Sequence, residues 1–463
     1  MKKLTQFRDP HVSLFQSAVD EVVARKSGTA ARPDPAHPMV QMAAAAGHAA
    51  TSGVATPAAV APAAVAPAAV VASPAVAPAA VAPAAVASPA AVAHIAAAQA
   101  AVGGAVSYCA SLAKQYGEAV VAGRTADAAR YHQELTATMG VCDPAWVACA
   151  AKYAEFLLSR KKIPYRVYQN IGDFVIDGKL PPNARIAIVG DWGTGQDTAK
   201  TVLAQIARKN PDVVIHMGDV YYSGTDFEMQ NYFYDIWSQA FDLSKVITYT
   251  LAGNHDMFSG GAAYYKLIDQ LGQPASYFCL RNDDWQFVAM DTGLHDDDPL
   301  GKKPTYLEDT EVAWVADKIQ NAGGRRTVLL SHHQLFSANE GICGQSVNPQ
   351  LNQQLSALLP DAALWLWGHE HNLAIYQKYL GVLARLIGHG AFPIGAGEIP
   401  ATPLFPEVPM LPVVLGNNGE FLNHGYAIMD LDGNSATLSY YQDSDEANPQ
   451  YAETLPATST ATS

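Results

Sequence analysis

Five times along this chain a short apolar run ends in a small residue and then a carboxylate, a carboxamide or an imidazole. Ile186-Ala187-Ile188-Val189 leads to Gly190-Asp191-Trp192-Gly193, and Val213 to Met217 leads to Gly218-Asp219-Val220-Tyr221-Tyr222. Val246 to Leu251 leads to Ala252-Gly253-Asn254-His255-Asp256, and Val328 to Leu330 leads to Ser331-His332-His333. Leu364 to Trp367 leads to Gly368-His369-Glu370-His371. Apolar runs alternating with helical stretches predict strands joined by crossover helices, an α/β fold. In such sheets the carboxyl ends of adjacent strands open on one crevice. A small residue there lets the backbone turn and aims the next side chain inward.

The five tips pool two Asp, one Asn and at least four His. Carboxylates and imidazole lone pairs gathered in one place call for cations, and mixed nitrogen and oxygen donors suit Zn, Fe or Mn better than a calcium cage. Each motif alone is weak, since Asp191 or Asp219 would serve equally well in a turn or as an N-cap. The ordered set is specific. It resembles the calcineurin-like metallophosphoesterases and, among them, the purple acid phosphatases of the small tartrate-resistant type, from about Arg185 to His371. Most of that superfamily has Asp-x-His at the first tip. Here Gly193 takes the histidine place and Tyr222 stands three residues after Asp219, as in the purple phosphatases.

The resemblance implies a four-layer sandwich, two β-sheets flanked by helices. It also implies two metal ions: Asp191, Tyr222 and His371 on the first, Asp219 bridging, and Asn254, His332 and His369 on the second. A phenolate at the first site favours Fe(III), with Zn, Mn or Fe(II) at the second. The implied activity is hydrolysis of a phosphomonoester or phosphodiester by a metal-held hydroxide attacking in line with the leaving group. His255 is expected to bind a phosphate oxygen or protonate the leaving alkoxide, with Asp219 and His333 as further catalytic candidates. One departure stands out: where the family has a Glu-His pair beyond the His332 position, this chain has Glu340-Gly341. The leaving group then relies on His255, His333 or His295. A second reading follows, a metal-binding interaction or scaffold protein that has lost catalysis.

The rest of the chain divides by composition. Residues 1–39 carry a short amphipathic helix opened by Asp9-Pro10, and 40–104 form an Ala/Val/Pro-rich low-complexity linker, expected to be disordered. Residues 105–163 read as a small helical unit for partner docking or oligomerisation, 164–448 as the catalytic domain, and 449–463 as a disordered tail. A formal charge of −14 argues against nucleic acid held along a basic groove. The start of the chain has basic residues but no apolar core of a signal peptide, and the Ala-rich run from Ala90 to Ala113 is a poor membrane span. Five cysteines without close pairing read as reduced thiols, which places the chain in the cytoplasm. His216, His389 and His424 are expected to be satisfied core or surface histidines, and Asp291 to order a loop.

Overall fold

The fold is seen in a computed structural model. It describes residues 161–457 apart from 297–302, 397–398, 400–401 and 420, together with 124–127, Lys152, Phe156 and Ser159. The amphipathic helix, the linker and most of the helical unit lie outside the described residues.

Every apolar run named above forms a strand. One sheet of six strands runs in the order β13-β12-β11-β2-β3-β4, with β2 Arg185–Val189, β3 Val213–His216, β4 Ile247–Thr250, β11 Gly425–Asp432, β12 Ser435–Gln442 and β13 Tyr451–Leu455. The other has seven, in the order β1-β5-β6-β7-β8-β10-β9. Its members are β1 Val175–Asp177, β5 Phe278–Arg281, β6 Trp285–Ala289, β7 Arg326–Leu330, β8 Ala362–Trp367, β9 Leu373–Ile375 and β10 Ala384–Ile387. Strands β2, β3 and β4 are parallel, as are β6, β7, β8 and β10. Parallel strands end at the same side of a sheet, so the motif-bearing turns are brought together.

The alternation of side chains builds the layers. Ile186 and Ile188 of β2 meet Phe287, Val328, Leu330, Leu364 and Leu366 in a core between the sheets. Their neighbours Ala187 and Val189 face α1 Asp197–Arg208, α2 Asp235–Ala240 and, further along, α4 Ala262–Gln270, which follows the single turn α3 Asn254–Met257. On the opposite side Val288, Leu329, Trp365 and Trp367 meet Trp314 and Val315 of α5 Asp309–Gln320 and Leu351 and Leu355 of α6 Pro349–Leu355. Strands covered on both faces read as continuous apolar runs, which is why they were legible. The order of layers is helix, sheet, sheet, helix, as the resemblance implied.

The tail departs from expectation. Tyr451–Leu455, placed above in a disordered tail, is the edge strand β13, paired antiparallel with β12. Its Tyr451, Glu453 and Leu455 turn inward while Ala452 and Thr454 are exposed. That period of two is short and half polar, and is easily read as tail composition.

Candidate metal centre

Asp191 and Asp219 sit just beyond β2 and β3 with φ of 55° and 73°, and His369 just beyond β8 has φ of 71°. The left-handed region is costly for residues with a Cβ and is held only where the surroundings enforce it. Here the two Asp tips are stitched to their neighbours. The Asp191 N–H donates to Gly218 O at 3.2 Å, and the Tyr221 N–H donates to Gly193 O at 2.9 Å. A Cβ on Gly193 would lie 2.8 Å from Asp219 O and from Val220 Cα, so the close approach of the first two tips requires glycine.

Asp256 completes the stitching. Its carboxylate accepts from the Gly253 N–H at 2.7 Å, the Asp219 N–H at 3.0 Å and the Val220 N–H at 2.9 Å. Glu228 does the same one loop on, accepting from the N–H groups of Tyr222, Ser223 and Thr225. Sequence reading missed both residues, although a Glu three residues after Thr225 is the signature of the capping box found there.

The six polar tip residues named above as metal ligands come together. Asn254 Oδ1 lies 3.2 Å from His332 Nε2 and 3.2 Å from His369 Nδ1, and these two nitrogens are 3.3 Å apart. Asp219 Oδ2 lies 3.3 Å from His332 Nε2, and Asp191 Oδ1 lies 3.5 Å from His371 Nε2. Asp191, Asp219 and His332 are fully buried with ligand atoms within 4.8 Å of one another. Tyrosine is the exception. The hydroxyl that donates to Asp191 Oδ1 at 3.0 Å, and lies 2.9 Å from His371 Nε2, is that of Tyr221. Tyr222, expected in this place, takes part through its backbone: its C=O accepts from His255 Nδ1 at 2.8 Å. Residue counting cannot tell which of two adjacent rings turns inward.

The donor chemistry fits cations. A carbonyl can only accept, so His332 Nδ1, 2.9 Å from Met217 O, must carry the proton. In neutral His332, Nε2 is then a bare lone pair facing the oxygens of Asn254 and Asp219. Acceptor faces acceptor, which is tolerable only with a proton or a metal ion between them. Without a metal the protein solves this with protons: burial would lower His332, but the Asp219 charge overrides it and lifts the imidazole to about 9. Burial likewise opposes ionisation of Asp219, and the charge of His332 overrides it, holding the carboxyl well below the usual range. His369, penalised by burial and then by the charge of His332, falls to about 3. Burial and the charge of Asp191 push the Tyr221 phenol well above its ordinary value. On the far side of its ring, His371 Nδ1 is buried without a hydrogen-bond partner.

His255 and His333 flank this cluster. The His255 N–H donates to Asp219 Oδ1 at 3.0 Å, and its Nε2 is 3.9 Å from Asp219 Oδ2. Burial lowers its imidazole. His333 packs its ring 4.3 Å from that of His369 and brings a ring nitrogen within 4.8 Å of ligand nitrogens of His332 and His369, while its Nδ1 lies 3.0 Å from Thr292 Oγ1 and its Nε2 3.0 Å from Asp296 Oδ2. His295 pairs with Glu308 at 3.1 Å and stacks on Tyr306. Asp291 orders its loop by accepting the Leu294 N–H at 2.9 Å. His216 is buried with Nδ1 2.9 Å from Thr250 Oγ1, and its Nε2 has no hydrogen-bond partner, so it is only half satisfied. His389, expected to be satisfied, is buried with both ring nitrogens lacking partners. Burial lowers it to about 3, so it is kept neutral.

Residues 184–373 match the family described as calcineurin-like phosphoesterase. The chain is 27% identical over 248 residues to tartrate-resistant acid phosphatase type 5 of Homo sapiens, covering 47% of this chain and 75% of that protein. It is 25% identical over 185 residues to the glycerophosphodiester phosphodiesterase GpdQ of Enterobacter lignolyticus, covering 39% and 63%. Among solved structures, the purple acid phosphatase PPD1 of yellow lupin aligns with a TM-score of 0.42 at 15% identity, covering 60% of this chain and 54% of that one. Residues 184–373 thus match the calcineurin-like phosphoesterase family, and the similarity is to its purple acid phosphatase group.

Proposed function

We propose that this chain is a phosphoesterase that holds two metal ions between its strand tips and hydrolyses a small phosphomonoester or phosphodiester. The observation that carries the reading is the crowd of acceptors around His332, where Asn254, Asp219 and His369 all lie within 3.3 Å of Nε2. Asp191, His371 and a tyrosine would hold the first ion, for which a phenolate favours Fe(III). Asp219, Asn254, His332 and His369 would hold the second, which would be Zn, Mn or Fe(II). The phenol best placed for the first ion is that of Tyr221. Cations bound there would offset phosphoryl charge and lower the pKa of water to supply the nucleophile.

The chain's own groups supply the rest. His255 donates through Nδ1 to Tyr222 O, so Nε2 binds a phosphoryl oxygen or protonates the departing alkoxide only when the imidazole carries its second proton. His333, buried beside His369, reaches a leaving group only if its pairing with Asp296 opens. Among the described residues no helix is long and apolar enough to cross a membrane. Among the described residues Cys279 and Cys343 form no disulfide, which fits the cytoplasmic placement in this reading.

The test is hydrolysis of p-nitrophenyl phosphate and bis(p-nitrophenyl) phosphate by purified, metal-loaded protein. His255→Ala is expected to lower kcat by about 10²–10⁴-fold. Protein that carries two metals and hydrolyses neither ester overturns the enzymatic reading. It would favour the interaction protein, for which Glu340-Gly341 in place of a Glu-His pair is the specific support.

A further inference from the structure

The loop that follows His255 contains two consecutive glycines in the left-handed region, Gly260 with φ of 95° and Gly261 with φ of 68°. Each has a side chain from before the matched segment 184–373 seated where its Cβ would be. A Cβ on Gly260 would lie 2.4 Å from Phe156 Cδ2, and one on Gly261 would lie 3.0 Å from Ile163 Cγ2 and 2.8 Å from Met257 Sδ. Phe156 packs against the core between the sheets, and Ile163 against the core under α4.

From this seat contacts run to the metal centre. The Gly260 N–H donates to Met257 O at 2.8 Å, closing α3. Phe258 lies with its ring 4.9 Å from that of His255, which in turn lies 4.6 Å from that of Tyr221. Ser259 ties the same loop to the other tip: its N–H donates to Ser223 O at 3.3 Å and its Oγ to Gly224 O at 3.1 Å.

We propose that Phe156 and Ile163 are positioning residues, through which the segment ahead of the phosphoesterase domain fixes the Asn254–Gly261 loop and hence the His255 ring. The proposal gives that segment a role in the site itself, and its kinetic arm rests on the phosphoesterase reading. The test uses full-length Phe156→Ala, read by amide hydrogen exchange and by steady-state kinetics on p-nitrophenyl phosphate. Exchange at 254–261 should accelerate while the β2 amides stay protected. Displacing His255 by a fraction of an ångström should lower kcat about tenfold or more, with KM changed less than about twofold. Phe156→Leu should restore both, which a generally loosened protein would not show. If Phe156→Ala fails to fold, Gly260→Ala, which puts a methyl against the same ring, must reproduce the pattern. Unchanged exchange and kcat in Phe156→Ala overturn the proposal. If the wild type is inert while metal-loaded, the enzymatic reading fails and the exchange arm alone decides the positioning.

Discussion

Two adjacent phenols, Tyr221 and Tyr222, differ in what a substitution would remove. Tyr221→Phe should abolish the visible absorption band of an Fe(III)–tyrosinate pair, whereas Tyr222→Phe should keep it, because Tyr221 carries the hydroxyl beside Asp191 and His371. The opposite outcome would restore the assignment by spacing. A second residue-scale prediction concerns Asp256, which accepts three buried N–H groups. Asp256→Ala strands those donors at about 1–3 kcal/mol each, so the urea midpoint should correspond to a loss of at least about 3 kcal/mol. The polar tips were legible because each follows an apolar run. Asp256 was not, because two of its three partners are backbone amides of another loop, whereas Glu228 was overlooked although its spacing from Thr225 is that of a capping box.

At the scale of elements, β6 and α5 meet through two buried acids. The Asp291 N–H donates to Glu311 Oε1 at 2.8 Å, and Tyr165 donates to Glu311 Oε2 at 2.8 Å. Burial raises Asp291 to about 6, and burial with the charge of Asp291 raises Glu311 well above its usual range. The folded protein keeps the Asp291 proton to higher pH than the unfolded chain, whose carboxyl titrates near 3.9. Stability from this group is therefore complete below about pH 4 and falls as pH rises to about 6, by roughly 3 kcal/mol. Asp291→Asn should flatten that part of the stability curve in urea titrations at pH 4.5 and 7. An unaltered slope would show that Asp291 is ionised in the folded state. The strands themselves were read from their apolar runs. The edge strand β13 escaped because only Leu455 in it is fully buried.

For the whole molecule, the two sheets are tied at one margin by Arg385 of β10, which pairs through two nitrogens with Glu453 of β13. Arg385 is 3% exposed, and Tyr440 donates to Glu453 Oε1 at 2.8 Å. Arg385→Ala leaves the half-buried Glu453 carboxylate without its cation and with only the Tyr440 hydroxyl, and should cost up to about 3 kcal/mol. Arg385→Met combined with Glu453→Leu should recover most of that loss in thermal unfolding. The four-layer order was what the resemblance implied, while the α/β class was legible in the continuous apolar runs. The tie was not, since 68 residues separate its partners. The central claim is that Asp191, Asp219, Asn254, His332, His369 and His371 form one binuclear centre with a tyrosine. Metal content by elemental analysis of the purified, iron- and zinc-loaded and desalted chain tests it most directly. Two ions per chain, falling to one or none in Asp219→Ala, is the expected result. A wild type that retains one ion or none, or an Asp219→Ala protein that retains both, would contradict it.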